Sequence, residues 1–238
     1  MERGQELPAV ETPLSATQVA SAFVEACWWS NMRPNHDLIV MLLAHSALET
    51  GHWAKLRCYN FGNVKATNGW INTGGDFCFY EASENLDDRT TNALMARAKP
   101  RTDGQPGLDM ELRGRRTDGR IRCWFWPSNE QCRFRAFKTA HAGAVEYVRK
   151  LLGRYAMALV WAQAGNPERY VEELHTLGYF TAGLEPYKRL VRILFKRYAD
   201  TPFELEDPAE KVGNEIHGTR SGTWISEGIN TDGGTDDN

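Results

Sequence analysis

The chain has 238 residues, of which 42% are hydrophobic and 25% are charged, proportions typical of a soluble globular protein with one large domain or two small ones. No apolar run approaches the roughly 18 residues that span a membrane, which argues against a transmembrane protein. The net charge of −3 combines acidic ends with a central part, residues 15–204, of net charge +5. So small an excess of cations, without a recognition motif, does not indicate a nucleic-acid-binding protein.

The N-terminal stretch MERGQELPAVETPLSATQ is acidic and contains prolines. It lacks the basic and apolar regions of a secretory signal. We therefore expect a protein that is synthesised in the cytoplasm without a signal peptide, and that reaches any site outside the cell by another route. Residues 1–14 are predicted to form an N-terminal tail.

Two helices are predicted next. Ser15 is a suitable N-cap for a helix that runs to about Trp29. A second helix begins at Asn35 or His36 and is apolar on nearly every side, which predicts burial in the core rather than an amphipathic surface helix. Gly51 is suited to end this helix, because glycine readily adopts the left-handed conformation found after a last helical turn.

A single carboxylate, Glu49, lies at the end of this apolar helix, between Leu48 and Trp53. Loss of hydration at such a position raises the pKa of a carboxyl group and keeps it protonated near neutral pH. A general acid that donates a proton to a leaving oxygen needs this property. The alternative is an ordinary hydrated glutamate at a helix end.

A metal site is the second interpretation of this region, because His45, Glu49 and His52 are spaced i, i+4 and i+7. The pattern is not HExxH, and Gly51 ends the helix before His52, so the three side chains need not share a face. His45 is then a packing histidine. We predict no metal and no cofactor.

The segment YNFGNVKATNGWINTGGDFCFY, residues 59–80, is rich in Gly, Asn and aromatic residues with short β-like pieces. A sugar-binding cleft uses this mixture, because aromatic rings lie against pyranose faces while amides and exposed backbone bind hydroxyl and N-acetyl groups. Core packing is the alternative role for Trp53 and Trp70.

The remainder of the chain predicts further helices, a strand and an arm. Ser83 is the expected N-cap of a helix to about Arg97, residues 99–120 are a loop or a long hairpin arm, and IRCWFW at 121–126 is a strand. Three more helices are predicted after this strand. The first runs from about Thr139 to Gln163, and the last from about Glu185 to Tyr198. The one between them begins with Asn166 as N-cap and Pro167 at the first helical position.

The five cysteines, at positions 27, 58, 78, 123 and 132, are an odd number without CxxC spacing. This pattern argues against a zinc ribbon or a full disulfide framework. Cys123 and Cys132 bracket WFWPSNEQ and are spaced to meet across a hairpin. Reduced, half-buried thiols are the prediction for all five.

Four stretches together resemble a known family. ALETGHW followed by YNFGNVKA is similar to the ALESGWG…NxFGIK signature of the glucosaminidase family, family 73 of the glycoside hydrolases, which includes flagellar rod-associated hydrolases, autolysins and phage lysins. CRFRAFKTAHAGAVEYVRKLL resembles the family's FR-x-Y/F segment and the helix after it. HTLGYFTAGLEPYKRLVRIL resembles its closing AGYATDPxYxxKL motif. The four stretches keep the family's order across about residues 38–198.

The resemblance implies a lysozyme-like fold, α+β but mostly α, with a small β-lobe and a cleft between the lobes. The domain would span residues 15–204, with about 84–121 as an insertion. The implied substrate is peptidoglycan, cut at N-acetylglucosaminyl β-1,4 linkages. Glu49 falls on the family's catalytic acid and Tyr179 on a motif tyrosine that lines the cleft. The segment that lines the sugar site falls on Tyr59, Asn60, Phe61 and Gly62.

The second carboxylate is an open choice. The resemblance places it on the β-lobe, where Glu81 is the first candidate and Glu111, Glu130 and Asp76 are alternatives. The separation of the two acids sets the stereochemistry, about 5–5.5 Å for retention and about 6.5–9.5 Å for inversion. The family also tolerates assistance by the substrate's own acetamido group, so that no second acid would be essential.

Two charged segments have alternative interpretations. The arm contains six arginines, Arg101, Arg113, Arg115, Arg116, Arg120 and Arg122. One interpretation is an electropositive lip that binds anionic glycan or a partner, and the alternative is a hydrated basic loop. Residues 205–238 are acidic and Gly-rich, which predicts a flexible tail or a segment that orders on a partner through Trp224 and Ile225.

These observations favour a bacteriolytic peptidoglycan hydrolase from a phage or phage-tail-like setting, delivered by cell lysis, by a virion or by an injection machine. Residues 205–238 would then dock on a virion or tail-like assembly. A lytic transglycosylase is the alternative within catalysis, and a non-catalytic wall-binding or structural component is the alternative outside it.

Overall fold

Helices dominate the chain, whose computed structural model describes residues 2–180 and 183–207. The helices in these residues are α1 (Ala16–Trp29), α2 (His36–Thr50), α3 (Asn68–Asn72), α4 (Asp88–Met95), α5 (Ala140–Arg154), α6 (Ala156–Gln163), α7 (Pro167–Thr176) and α8 (Leu184–Tyr198), with a 3-10 turn at Glu130–Cys132. The strands are β1 (Phe77–Phe79), β2 (Ala82–Leu86), β3 (Met110–Arg115), β4 (Ile121–Phe125) and β5 (Arg133–Arg135).

The core is built around α2. Every residue from Leu38 to Ala47 is buried, and the helix packs against α1, α6 and α8. The predicted helix ends are confirmed: Ser15 and Gln18 form a capping box at the start of α1, the Asn35 side chain accepts from the backbone N–H of Leu38, and Gly51 has a φ of 59°. Burial of α2 on all sides fixes where its last turn, and hence Glu49, must lie.

A small β-lobe contains two antiparallel sheets. Strand β1 pairs with β5, and β4 lies between β2 and β3. The interior of this lobe includes Phe125, Phe134 and four of the five cysteines. All five cysteines are free, and they are buried rather than half-buried as predicted. The structure thus confirms the predicted α+β, mostly α fold with a small β-lobe.

The helix predicted from Ser83 is wrong. Ser83 lies in β2, opposite Trp124 of β4, and the helix begins five residues later at Asp88. Asp87 is the N-cap, and its side chain accepts from the backbone N–H of Thr90. Pairing of β2 with β4 takes priority over the capping preference of Ser83, and the helix ends at Met95 rather than Arg97.

The single helix predicted from about Thr139 to Gln163 is two helices. The backbone turns at Tyr155, so that α6 packs against α2 and α7 instead of continuing in the direction of α5. The ring of Tyr155 is buried and contacts Tyr179 edge-on. Because both halves favour helix, the sequence pattern does not reveal the turn.

Residues 2–14 lie along the body rather than extending from it as a tail. Leu7 N–H donates to the carbonyl of Phe77, and Cys58 N–H donates to the carbonyl of Val10.

The predicted arm at 99–120 contains β3 and its turn into β4, which together form a β-hairpin. In the described residues, no helix combines the length and apolar character needed to cross a membrane. Most of the predicted tail, 208–238, including Trp224 and Ile225, lies outside the described residues.

Candidate active site

An open cleft of about 940 Å³ runs past the end of α2. Its volume is at the upper end of the usual range for small-molecule sites. The walls come from the segment 62–67, from β2 with the residues just before it, from the tip of the β3–β4 hairpin, and from the chain around Tyr179 and Tyr187. The lining is rich in charged and amide side chains, as in a site for a hydrophilic polymer.

Glu49 lies in this lining, on the last turn of α2. Its side chain is 23% exposed, and its Oε1 accepts a hydrogen bond of 2.7 Å from the hydroxyl of Tyr187. The amide of Asn63 donates to the backbone carbonyl of Glu49, which the helix end leaves without an intrahelical partner. Tyr80 in turn donates to Asn63 Oδ1. These contacts fix the carboxyl group at the cleft.

Burial raises the pKa of Glu49 above that of an ordinary glutamate. The hydrogen bond from Tyr187 and the positive charge of Lys150 act in the opposite direction, and the negative charge of Glu84 adds to the increase. Burial is the largest of these effects, so the protonation balance of Glu49 shifts toward the neutral acid relative to an ordinary glutamate. A neutral carboxyl group at the wall of an open cleft is able to donate a proton to a bound molecule.

Behind Glu49 lies a cluster of buried aromatic residues around His45. His45 is fully buried, and burial lowers its pKa to about 3, so the imidazole is neutral. Its Nδ1 lies 2.6 Å from the hydroxyl of Tyr170 and 2.8 Å from that of Tyr147. The rings of Tyr179 and Tyr187 also contact His45. This cluster supplies the apolar surroundings that raise the pKa of Glu49.

Of the three residues considered as metal ligands, His45 and Glu49 lie one turn apart on α2, but His52 does not join them. His52 follows Gly51 with a positive φ, and its Nδ1 lies 2.7 Å from the hydroxyl of Tyr198. His52 is absent from the described cleft lining. Among residues 2–180 and 183–207, no group of three or more His, Cys, Asp and Glu side chains is placed to hold a metal ion.

Two carboxylates besides Glu49 line the cleft on the β2 side, Glu81 and Glu84. Glu84 Oε1 lies 3.3 Å from Lys65 Nζ. The other candidates from the sequence are elsewhere: Glu111 pairs with Arg113, Glu130 lies in the 3-10 turn, and Asp76 accepts from the backbone of Gln5. None of these three is in the described lining.

Most of the predicted sugar-contacting side chains lie outside the cleft, although Gly62 lies in its wall. Trp53 is buried and donates to Ser46, Phe61 packs on Phe23, and the Asn60 amide donates to two backbone carbonyls. Trp70 donates to the carbonyl of Asp76, and Tyr59 packs on the core. These side chains are absent from the described cleft lining, and their contacts hold the chain after α2 in place.

Other aromatic rings take their place in the cleft wall. Tyr80 stacks on Phe134, and Phe180 stacks on Tyr187, each pair with ring centroids 3.9 Å apart. Tyr179, which the resemblance singles out, also lines the cleft, and its hydroxyl is buried without a hydrogen-bond partner among the described residues. Tyr187 belongs to the stretch EPYKRL within the segment that resembles the closing motif, although it follows Pro186 directly where the motif has one residue between.

The arginine-rich arm is largely neutralised by neighbouring acids. The pairs are Arg101 with Asp103, Arg113 with Glu111, Arg115 with Asp88, and Arg116 with Asp118. Of the six arginines of the arm, only Arg116 and Arg120 line the cleft, together with Asp118. The hairpin tip therefore forms a rim of mixed charge rather than the uniformly electropositive lip.

Comparison with protein-family models finds no match, and comparison with curated proteins finds none of significance. Among solved structures, the glycoside hydrolase domain of Salmonella typhimurium FlgJ is similar to this chain at 18% identity, with a TM-score of 0.43. The alignment covers 87% of this chain and 98% of that domain. At this identity and TM-score the similarity carries no argument about the activity.

Proposed function

We propose that this protein is a peptidoglycan hydrolase of the glycosidase type, which cleaves N-acetylglucosaminyl β-1,4 linkages with Glu49 as general acid. The observation that carries the proposal is the position of Glu49, a carboxyl group with a raised pKa at the wall of a wide polar cleft. Glycoside hydrolysis needs such a group, because the leaving oxygen must be protonated as its bond to carbon breaks.

The cleft wall supports a glycan as substrate. Tyr80 and Phe180 are partly exposed in the cleft wall and present aromatic surface, and the side chains of Asn63 and Asn85 present amides. Sugar rings lie against aromatic faces and their substituents bind amides. The choice of an N-acetylglucosaminyl linkage rests on the sequence resemblance of the segments around Glu49 and Tyr179.

The second carboxylate of the proposed mechanism comes from the β2 side of the cleft. Glu84 is placed first, because its charge acts on Glu49 and because its Oε1 is held 3.3 Å from Lys65 Nζ at the cleft wall. An ionised carboxylate there would activate water or stabilise the positive charge that develops on the sugar. Glu81, the first choice from the sequence, is the second candidate, and Tyr179 positions the substrate or water.

Exchange of Glu84 for glutamine is expected to lower kcat by about 10² or more, the usual contribution of an acid–base group. Loss of the negative charge also lowers the pKa of Glu49, so the alkaline limb of the pH–rate profile moves to lower pH. The measurement is release of soluble fragments from purified cell walls between pH 4 and 9, with Glu111→Gln on the outer hairpin as control. A large loss in Glu81→Gln, with Glu84→Gln unaffected, would reverse the assignment of the two residues.

The proposed reaction is tested by mass spectrometry of sacculi digested with the full chain. Fragments with reducing N-acetylglucosamine ends are expected. Ends with 1,6-anhydro-muramoyl groups would make the protein a lytic transglycosylase instead. Binding to sacculi without any fragment would make it a non-catalytic wall-binding component. The phage or tail-like setting and the partner of residues 205–238 stay predictions from the sequence.

A further inference from the structure

The nitrogen Nε2 of His45 is a buried polar atom with no hydrogen-bond partner among the described residues. It lies 3.7 Å from Oε1 of Glu49, one helical turn along α2. This separation is longer than the roughly 2.9 Å of a formed N–H···O hydrogen bond. Because an unpaired polar atom in a fully buried side chain is costly, its orientation toward one carboxyl oxygen calls for an explanation.

The tautomer of His45 follows from its other nitrogen. The hydroxyls of Tyr147 and Tyr170 are both buried, and both lie within hydrogen-bonding distance of Nδ1. A tyrosine hydroxyl needs an acceptor for its proton. A bare Nδ1 has one in-plane lone pair, which accepts the proton of one of these hydroxyls, and a hydrogen on Nδ1 would leave neither hydroxyl with this acceptor. This arrangement favours the neutral ring with its hydrogen on Nε2, the nitrogen that lies 3.7 Å from Glu49 Oε1.

We infer that His45 is a positioning residue for the acid, whose Nε2–H faces Oε1 of Glu49 and holds the transferable proton on Oε2. Oε1 already accepts from the hydroxyl of Tyr187 at 2.7 Å, so two protein donors are directed at the same oxygen. A proton on Oε1 would be repelled by both donor hydrogens, so the transferable proton is placed on Oε2. The catalytic part of this inference rests on the proposed function, but the tautomer and the proton position do not.

The interaction of His45 Nε2–H with Glu49 becomes stronger during proton transfer. As Glu49 loses its proton it becomes a carboxylate, and a hydrogen bond to a charged oxygen is stronger than one to a neutral acid. Shortening of the 3.7 Å separation would then favour the transition state over the ground state, which is what raises kcat. The other charged or titratable groups that act on Glu49 are Tyr187 of α8, Lys150 of α5 and Glu84 of β2, and the cluster also contains Tyr147, Tyr170 and Tyr179.

The tautomer is tested without any substrate, by ¹⁵N NMR of the imidazole nitrogens in the full chain. We expect His45 to show the hydrogen on Nε2 and a bare Nδ1, with no protonation between pH 5 and 8. A hydrogen on Nδ1 would overturn the inference, because Nε2 would then present a lone pair to Glu49. This readout stands even if no hydrolysis is detected, so it separates failure of the inference from failure of the proposed function.

Two variants separate positioning from packing. In His45→Asn, the side-chain amide reaches the place of Nδ1 and retains an acceptor for the tyrosines, but nothing donates toward Glu49. In His45→Gln, an amide N–H reaches the place of Nε2, but the tyrosine hydroxyls lose their acceptor. We expect kcat to fall about tenfold in His45→Asn and to recover to within about threefold of the parent in His45→Gln, in keeping with one hydrogen bond to a charged group.

Thermal stability is expected in the opposite order, with His45→Gln melting below His45→Asn, because buried hydroxyls without an acceptor destabilise the fold. The alkaline limb of the pH–rate profile moves to higher pH in His45→Asn, since the carboxylate loses a donor. His52→Asn is the matched control, because it makes the same substitution at a histidine–tyrosine pair outside the described cleft lining and should leave kcat unchanged. If kcat follows melting temperature across both His45 variants, His45 only packs and the positioning role is wrong.

Discussion

Glu49→Gln is expected to lower the rate of peptidoglycan cleavage by about 10²–10⁴, the range typical of a lost general acid. Glutamine has the shape of the protonated acid and still accepts from Tyr187, so the fold and the cleft should be retained. Binding to sacculi should therefore persist while turnover is lost. The measurement is release of soluble fragments from purified cell walls, together with a sedimentation assay of binding.

Glu25→Gln is the matched control, because Glu25 is half-exposed on α1, pairs with His141 and is absent from the described cleft lining. It should cleave at the parent rate. Full activity in Glu49→Gln would remove Glu49 from the mechanism. Loss of both binding and cleavage, with a lowered melting temperature, would indicate a structural role for Glu49 instead of a catalytic one.

Gly143→Ala is expected to destabilise the domain, although alanine normally favours a helix by about 1 kcal/mol over glycine. A Cβ at position 143 would overlap the backbone carbonyl of Tyr59, where α5 passes directly over the segment after α2. Overpacking of this kind costs about 1–3 kcal/mol, and a backbone atom has little freedom to move aside. We therefore expect a net loss of about 1–2 kcal/mol in the free energy of unfolding, measured by urea denaturation.

Gly153→Ala tests this reasoning within the same helix. No atom lies within 4 Å of a Cβ built at Gly153, so only the gain in helix propensity applies. This variant should unfold at a higher urea concentration than the parent, and Gly143→Ala at a lower one. Equal stabilisation by both substitutions would mean that α5 and the Tyr59 segment are not in close contact.

The helical half of the fold was predictable because its signals are local. Capping residues define the starts of α1 and α2, and the apolar run of α2 with Gly51 after it places Glu49 at a helix end. The elements that were missed depend on distant contacts. Ser83 has the character of an N-cap, but it lies in a strand because β4 is available to pair with it. The turn at Tyr155 depends on packing that no local pattern records.

The candidate site was predictable only in part, for the same reason. Burial of Glu49 follows from the apolar helix that carries it, whereas the identity of the cleft wall depends on how the β-lobe folds over it. Aromatic residues near Glu49 in sequence, such as Trp53 and Phe61, are buried in the core. Glu84 and Tyr187 lie far from Glu49 in sequence, and folding brings them to the same cleft.

The pKa of the Glu49 carboxyl group in the folded protein tests the central claim most directly. It can be obtained by ¹³C NMR titration of the side-chain carboxyls, with the Glu49 resonance assigned by its absence in Glu49→Gln. We predict a pKa above 4.5, the ordinary value for glutamate, and equal to the midpoint of the alkaline limb of the pH–rate profile. A pKa at or below 4.5 would mean that Glu49 is a hydrated carboxylate, and this account of the cleft would be wrong.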